Sequence, residues 1–307
     1  MNSFEQVINN VTLFYKIFDL IRIVDPIKKE VIYMKKNSNF EFPIEEPLFD
    51  TNSCYKIWTS GEVCSNCISM HALIEKDIFV KFEYAHSKLF MITAYPLDVP
   101  YTGYVVEIVK DVTKSDLIDG LDGLTLTEIH TLIELKNKQL ISDPLTSTYN
   151  KRYLMERLPF ELVNNHLKGY DSALLILDLD HFKYVNDQFG HIVGDQVLNE
   201  FTSLLFDCIR EDYDWIVRFE SEKFILYLKN IGYKDLEGVC QKIRSKIEHH
   251  VFNHNNQIIP ITVSIGAGHI PANVIMDYES IIKFTDRLLY KAKDQGRNKC
   301  LCKEVSQ

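Results

Sequence analysis

The sequence has no long apolar run and no cluster of basic residues. No stretch reaches the length of about 18 consecutive apolar residues that suggests a membrane-spanning helix. Charged residues interrupt the N-terminal segment, unlike in a signal peptide. Lys and Arg number 34 against 43 Asp and Glu, and the resulting net charge of −9 disfavours binding to nucleic acid. These absences predict a cytoplasmic protein with no membrane or nucleic-acid partner, and they favour a small ligand.

Disulfide bonds and disorder are also disfavoured. Seven cysteines are an odd number in a chain without an export signal, which argues against a structural disulfide framework. Hydrophobic residues make up 46% of the chain, too many for an intrinsically disordered protein. Because domains average about 150 residues, a chain of 307 residues predicts two domains.

The first part of the chain predicts one helix and then a small antiparallel sheet. Apolar residues recur at helical spacing between Phe4 and Phe18, on a face that could pack on its own domain or on a second chain. Five β-rich runs follow, at Ile21–Val24, Val31–Met34, Ile78–Tyr84, Leu89–Tyr95 and Tyr104–Val109. Their order, and the closing Asp111-Val112-Thr113, resembles a PAS sensor domain. We assign residues 1–114 to this helix and PAS-like domain, with an unspecified α+β domain as the alternative.

Residues 115–142 predict a connecting segment. Thr125 and Glu128 have the spacing of a capping box, and a helix from about Thr127 to Ile141 follows. Its apolar spacing is too short and irregular to establish a coiled coil. We interpret the helix as a linker, with a dimerising helix as the alternative.

From Asp143 onward, long helices alternate with apolar strands. The apolar run Ala173–Asp178 predicts a buried strand, and Trp215–Phe219 and Phe224–Leu228 predict two strands of a tight hairpin. A last strand, ITVSIGA, completes the order βααββαβ. We therefore assign residues 143–307 to an α+β domain with a palm-like sheet and with its helices on one side.

Motifs in this region occur in a characteristic order. They are DPLTSTYNKRY, LDLDHFKYVNDQFGHIVGDQVL, RFESEKF, TVSIGAG and DRLLYKAKDQGRN. Together they resemble the GGDEF family of bacterial diguanylate cyclases. Active members join two GTP molecules into cyclic di-GMP, with one GTP held by each of two domains across a dimer interface. The resemblance implies a guanine nucleotide, Mg²⁺ and a homodimer, and a protein partner is a further expectation.

The resemblance assigns the metal ligands. Asp178 and the backbone carbonyl of Leu179 would bind Mg²⁺ together with Glu222, which would also lie near the attacking hydroxyl. Carboxylates suit this task because Mg²⁺ prefers oxygen ligands and offsets the charge of a triphosphate. Taken alone, the Asp178-x-Asp180 pair would more readily indicate the N-cap of a helix and a solvated turn.

The resemblance also assigns the nucleotide contacts. Asn186 and Asp195 would read guanine, because an amide and a carboxylate complement the edge that separates guanine from adenine. Lys183, Lys293 and Arg297 would contact the phosphates. Each of these residues would be an ordinary surface or turn residue if it stood alone.

The signature itself departs from the family pattern. Where the family has Gly-Gly-Asp/Glu-Glu-Phe, this chain has Glu220-Ser221-Glu222-Lys223-Phe224. If Glu220 and Ser221 had to adopt positive φ, each would be strained by about 1 to 2 kcal/mol. Lys223 also replaces a metal-binding acid. We therefore expect a catalytically inactive domain that binds a guanine nucleotide or a protein, with an active cyclase and a purely structural domain as alternatives.

Four potential metal ligands lie in the N-terminal half: Cys54, Cys64, Cys67 and His71. Three thiolates and one imidazole can form a tetrahedral Zn²⁺ site, and a Cys-x-x-Cys pair can also respond to oxidation. Buried or free thiols are the alternative interpretation. Near the C-terminus, Cys300 and Cys302 are predicted to lie in a mobile tail.

Overall fold

The structure is a computed structural model that forms two compact units, Met1–Leu140 and Ile141–Gln307. It describes residues 18–37, 53–58, 63–97, 103–113, 125–210, 212–254 and 257–306. The helix predicted from Phe4 to Phe18 therefore lies outside the described residues, apart from its last position. Within the described ranges, no helix is long and apolar enough to cross a membrane.

The N-terminal unit contains a five-stranded antiparallel sheet with the strand order β2-β1-β5-β4-β3. The strands are β1 (Leu20–Asp25), β2 (Glu30–Lys36), β3 (Phe79–Ala85), β4 (Lys88–Pro96) and β5 (Val105–Asp111). Helix α1 (Ile68–Glu75) packs on β3, β4 and β5. All five predicted strand runs are thus present. Strand β1 is buried along its whole length because apolar clusters lie on both faces of the sheet.

A buried ion pair connects two central strands of this sheet. Arg22 on β1 lies opposite Glu107 on β5, and its Nε donates to the Glu107 carboxylate. Ser69 also donates to that carboxylate, and Arg22 Nη1 donates to the backbone carbonyl of Cys54 at 2.6 Å. Each buried charge therefore has a partner, which burial of charged groups requires.

The linker helix, α2, extends over Leu126–Ile141, close to the predicted range. The capping box is confirmed, because the Thr125 N–H donates to Glu128 Oε2 at 2.7 Å and the Glu128 N–H donates to Thr125 Oγ1 at 3.3 Å. Farther along the helix, Asn137 Oδ1 accepts a hydrogen bond from Asn66 Nδ2 at 2.9 Å. This bond attaches α2 to the segment that precedes α1.

The C-terminal unit contains a six-stranded mixed sheet with the order β13-β12-β7-β9-β8-β6. Its strands are β6 (Tyr149–Asn150), β7 (Ser172–Leu179), β8 (Trp215–Arg218), β9 (Lys223–Lys229), β12 (Val263–Ile270) and β13 (Cys300–Glu304). Its helices are α3 (Lys151–Lys168), α4 (Phe182–Phe189), α5 (His191–Phe206), α6 (Tyr233–His249) and α7 (Tyr278–Asp294). The short hairpin of β10 (Phe252–His254) and β11 (Gln257–Ile259) is separate. The predicted order βααββαβ runs from β7 to β12, with this hairpin inserted.

Helices cover both faces of this sheet, so the prediction of helices on one side is wrong. Alternate residues of β7 enter two different cores, one with α5 and α6 and the other with α3 and α7. Strands β7 and β12 are buried at every position. A strand that is apolar on both faces needs cover on both sides.

The predicted mobile tail is also wrong. Cys300–Glu304 forms β13, which pairs in parallel with β12 at the edge of the sheet. The Tyr233 hydroxyl donates to the carbonyl of Cys302 at 3.0 Å. Backbone pairing therefore orders this segment, even though its cysteines carried no recognisable strand signal.

Candidate functional site

Three elements meet at the carboxyl end of β7: the hairpin between β8 and β9, the last turn of α7, and β7 itself. Asp178 on β7 lies opposite Lys223 in the register of the sheet. The Leu179 N–H donates to the carbonyl of Glu222 at 3.4 Å. The structure thus brings together the three residues that the sequence predicts as metal ligands, and it places Lys223 among them.

Asp178 is a buried carboxylate with a cationic partner. Lys293 Nζ lies 2.7 Å from Asp178 Oδ1. Burial raises the pKa of Asp178, and the contact with Lys293 opposes this shift without cancelling it. The charge of the nearby Glu222 raises the same pKa further. Asp178 is therefore a carboxylate whose ionised form is maintained against the cost of desolvation.

Lys223 has two acidic partners. Its Nζ lies 3.1 Å from Asp286 Oδ1 on α7 and 3.8 Å from Glu220 Oε2. Burial alone would lower the pKa of Lys223, but the hydrogen bond to Asp286 and the neighbouring carboxylates raise it overall. The sequence analysis missed Asp286. The signal was its spacing from Lys293, because residues seven apart lie on the same face of a helix.

The hairpin closes without glycine. None of residues 219–222 has positive φ. The expectation that Glu220 and Ser221 would be strained by a positive φ is therefore wrong. Arg218 instead fixes the turn, with Nε and Nη2 donating to the carbonyl of Ser221 at 3.0 and 2.9 Å. The same guanidinium contacts Asp143 at 3.2 Å. The altered signature is therefore compatible with an unstrained backbone.

The predicted Mg²⁺ ligands are two carboxylates and one backbone carbonyl, and two lysines lie beside them. Throughout the described ranges, no group of three or more His, Cys, Asp and Glu side chains could hold a metal ion. The carboxylate of Asp178 is paired with Lys293, and the ammonium group of Lys223 faces the same region. Two lysine side chains thus supply positive charge where the resemblance implies a metal ion. Mg²⁺ binding by Asp178, Leu179 and Glu222 stays a prediction.

Asp180 anchors the turn that follows α7. Its carboxylate accepts hydrogen bonds from Thr262 Oγ1 at 2.7 Å, from Ser264 Oγ at 2.7 Å and from the Asn298 N–H at 3.0 Å. Arg297 and Asn298 both have positive φ in this turn. The N-cap alternative is wrong, since no side chain caps the start of α4. Asp180 positions the backbone that carries Arg297.

The two predicted guanine readers lie at the junction of α4 and α5. Asn186 is a half-buried residue of α4, and Asp195 is exposed in the first turns of α5. A Cβ atom on Gly194 would come within 2.0 Å of Asn186 Oδ1, so the glycine makes room for the amide. The sequence analysis missed Gly194. A glycine inside a helix costs about 1 kcal/mol relative to alanine, which was the available signal.

The predicted phosphate contacts occupy two places. Lys183 is exposed on α4, and Arg297 is exposed in the turn beyond α7. Lys293 lies in the last turn of α7, and Gly296 ends this helix with a φ of 106°. Lys293 and Arg297 are therefore close along the chain at one helix terminus, as the sequence predicts.

The thiols of the N-terminal unit surround a lysine. Lys29 Nζ donates to Cys67 Sγ at 3.3 Å. Cys54 and Cys64 are also close enough to raise the pKa of Lys29. His71 Nδ1 lies 3.1 Å from Glu75 Oε1. Because the described residues contain no cluster suited to a metal ion, the geometry gives no support to Zn²⁺ at Cys54, Cys64, Cys67 and His71.

Comparison with known proteins agrees with the arrangement in the C-terminal unit. A family model described as "Diguanylate cyclase, GGDEF domain" matches residues 140–299, which is more than half of the chain. The chain belongs to the GGDEF family. This match covers β7, the signature hairpin and α7, the three elements that form the candidate site.

Relatives of this GGDEF protein include named diguanylate cyclases. It is 28% identical over 253 residues to the probable diguanylate cyclase DgcT of Escherichia coli strain K12, which covers 82% of this chain and 50% of DgcT. It is 33% identical over 170 residues to the diguanylate cyclase DgcP of Pseudomonas aeruginosa, which covers 55% of this chain and 25% of DgcP. The chain thus spans half or less of the length of these two relatives.

Solved structures share the GGDEF fold. The diguanylate cyclase SiaD of Pseudomonas aeruginosa, solved in complex with its activator SiaC, matches with 30% identity and a TM-score of 0.52, over 58% of this chain and 67% of SiaD. The coiled coil and GGDEF domain of DgcB from Caulobacter crescentus, in complex with c-di-GMP, matches with 22% identity and a TM-score of 0.55, over 58% of this chain and 93% of that one. The likeness to DgcB shows the fold alone.

Replacing Asp178 or Asp180 by asparagine should change the thermal stability of the domain in opposite directions. Asp178→Asn should raise the thermal unfolding midpoint at pH 7, because the wild-type carboxylate is ionised there despite a raised pKa. A raised pKa in the folded state means that stability is lost as pH rises through it. The gain in the variant should therefore shrink as pH falls toward about 4. Scanning fluorimetry across this range measures both effects.

The matched control is Asp180→Asn. It weakens three hydrogen bonds to a buried charged acceptor, and it should destabilise the domain at pH 7 by about 2 kcal/mol. Lower stability of Asp178→Asn at pH 7 would contradict the analysis, because it would mean that pairing with Lys293 outweighs burial.

Proposed function

We propose that this protein is a cyclic di-GMP-type signalling protein whose GGDEF domain binds a guanine nucleotide without cyclising it. The observation that carries the proposal is Lys223, which stands at the fourth position of the signature and contacts Asp286 at 3.1 Å. By resemblance, an acid at this position helps to hold the metal ion of active members. The site keeps groups that suit nucleotide binding and replaces one that catalysis needs.

The charges of the site suit a triphosphate. GTP carries about four negative charges, and Lys183, Lys223, Lys293 and Arg297 supply four positive ones at or beside the site. Asp178, Glu220, Glu222 and Asp286 offset these charges until a nucleotide competes for the lysines. Binding therefore has an electrostatic driving force that does not depend on a metal ion.

Catalysis makes stricter demands. Attack by a 3′-hydroxyl requires stabilisation of the charge that develops on the phosphorus-bound oxygens. Glu222 is the one acid of the family signature that this chain retains. Loss of a metal ligand and crowding by Glu220 are two defects of about 3 kcal/mol each, which together slow the reaction by roughly four orders of magnitude.

We further propose that a PAS-like N-terminal unit controls this domain. Its antiparallel sheet with α1 on one face and the closing Asp111-Val112-Thr113 support that interpretation. Thr113 Oγ1 donates to Asp111 Oδ1 at 2.6 Å and accepts from the Leu89 N–H at 2.9 Å. These bonds fix the point at which β5 ends and the chain continues toward α2.

An active diguanylate cyclase is the second candidate. The names of DgcT, DgcP and SiaD favour it, as do the retained Asp178, Asn186 and Asp195. A homodimer would be needed in that case, since each product molecule requires two bound GTP molecules. The activator of SiaD also makes a protein partner a reasonable expectation for this chain.

The purified protein should make no measurable cyclic di-GMP from GTP and Mg²⁺. The variant Lys223→Glu alone should also be inactive, because Glu220 and Ser221 still crowd the substrate. Combining it with Glu220→Gly and Ser221→Gly restores the family signature and should give detectable product. Liquid chromatography with mass spectrometry of the reaction mixture measures this. Product from the wild-type protein that disappears in Asp178→Ala would establish the second candidate instead.

GTP should stabilise the protein against heat more than ATP does. Binding to the native state alone adds RT ln(1 + [L]/Kd) to the free energy of unfolding. The variants Asn186→Ala and Asp195→Ala should remove the difference, as should Gly194→Ala, whose Cβ would displace the Asn186 amide. The exposed neighbour Asp187 provides the matched control, Asp187→Ala. Equal shifts with both nucleotides, or none with either, would favour a structural domain.

Removal of Mg²⁺ should change the GTP affinity by less than about tenfold. A lysine can offset phosphate charge directly, whereas its exposed ion pairs with Glu220 and Asp286 are worth under about 1 kcal/mol each. Lys223→Glu should restore metal dependence. Isothermal titration calorimetry with and without chelator compares the two proteins. Complete loss of wild-type binding on chelation would show that Lys223 does not take the place of a metal ion.

A further inference from the structure

Three consecutive residues adopt positive φ in the turn between α7 and β13. Gly296, Arg297 and Asn298 have φ values of 106°, 60° and 48°. Glycine adopts such angles readily and asparagine tolerates them, whereas an arginine in this region is strained. A strained residue persists only where its surroundings fix it, and such residues concentrate at functional sites. Contacts around Arg297 must therefore stabilise this backbone conformation.

Hydrogen bonds hold the backbone of the turn at Arg297 and at the residue after it. The Arg297 N–H donates to the carbonyl of Ala292, in the last turn of α7, at 3.2 Å. The Asn298 N–H donates to Asp180 Oδ2 at 3.0 Å, and only 3% of Asp180 is exposed. Arg297 itself is exposed. A backbone fixed at two points thus carries an exposed arginine.

Two residues of α6 hold the side chain of Asn298. Its Nδ2 donates to Glu248 Oε1 at 2.7 Å, and its Oδ1 accepts from Arg244 Nη1 at 3.2 Å. Arg244 Nη1 also donates to Glu248 Oε2 at 2.7 Å, so the two residues of α6 are themselves paired. Residues four apart lie on one face of a helix. Asn298 therefore has a partner for its N–H group and for both ends of its side-chain amide.

Ending α7 requires less than this arrangement provides. Gly296 alone can end the helix, because a left-handed glycine is a common C-terminal cap. The strained Arg297 and the three hydrogen bonds of Asn298 come in addition. Arg297 lies four residues beyond Lys293, whose Nζ lies 2.7 Å from Asp178 Oδ1 in the candidate site. The extra contacts therefore fix a cationic residue beside that site.

We propose that Arg244 and Glu248 are positioning residues, which fix Asn298 and so hold the Arg297 guanidinium group toward the phosphates of a bound guanine nucleotide. The inference rests on the proposed function, because Arg297 needs a phosphate to contact. An arginine with an ordered backbone loses less conformational freedom when it binds a phosphate, so affinity rises without a further contact. The two residues of α6 then affect nucleotide affinity through Asn298.

Calorimetric titration of the full-length protein with GTP tests the proposal. Arg297→Ala should weaken binding about tenfold, the loss expected for one charge-assisted hydrogen bond. Glu248→Ala should weaken binding about threefold, because part of the ordering of Arg297 is lost. Electrostatics alone predicts the opposite sign, since removal of a carboxylate should tighten the binding of an anion. Tighter or unchanged binding by Glu248→Ala would overturn the proposal.

Two matched variants and one double variant separate positioning from other effects. Glu248→Gln removes the same charge but keeps an acceptor for Asn298, so it should lose less affinity than Glu248→Ala. Lys246→Ala removes an ion pair with Asp207 from the same helix and should leave the GTP affinity unchanged. The exposures of the Lys246 and Glu248 side chains are similar, at 32% and 35%. Added to Arg297→Ala, Glu248→Ala should cause no further loss, and additive losses would contradict positioning.

Hydrogen exchange of the nucleotide-free protein tests the turn without a ligand. In Glu248→Ala, the peptide that contains residues 296–299 should exchange faster than in the wild-type protein, whereas Lys246→Ala should leave its rate unchanged. Unchanged exchange in Glu248→Ala would overturn the role of α6. If the wild-type protein binds no GTP, the proposed function fails and this inference fails with it. If Arg297→Ala binds GTP as tightly as the wild-type protein, the inference alone fails.

Discussion

The burial of β7 on both faces is the constraint on which the C-terminal unit depends. Its alternate side chains join two cores, so helices must cover the sheet on both sides. A strand of this kind can carry polar groups only where it ends, and Asp178 stands next to its last residue. The ionised carboxylate is tolerated there because Lys293 reaches it from α7. The place of the candidate site therefore follows from the packing of the strand that leads to it.

The altered signature changes the charge of the site without straining its backbone. The hairpin is closed by Arg218, which donates to the carbonyl of Ser221, and its residues have negative φ. Lys223 then brings an ammonium group beside carboxylates that would otherwise repel one another. Electrostatic balance is thus reached within the protein itself, with Asp286 as the acid that completes it. A domain built in this way retains its fold while the charge of its candidate site changes.

Local sequence signals predicted most of the elements, and contacts between distant residues were the part they missed. Strand runs and the Thr125–Glu128 capping box were predictable because their patterns span a few residues. The C-terminal strand β13 was missed because pairing with β12 creates it. Among the candidate site residues, the motif order located Asp178 and Asn186. The Lys223–Asp286 pair joins positions 63 apart in the chain, and no local pattern reports such a contact.

Asn66 lies inside the Cys-x-x-Cys segment and donates its amide to Asn137 of the linker helix at 2.9 Å. Its carbonyl accepts from Lys81 at 3.4 Å, and its Oδ1 is buried without a hydrogen-bond partner among the described atoms. A displacement of α2 would therefore act on the segment before α1 through one amide–amide hydrogen bond.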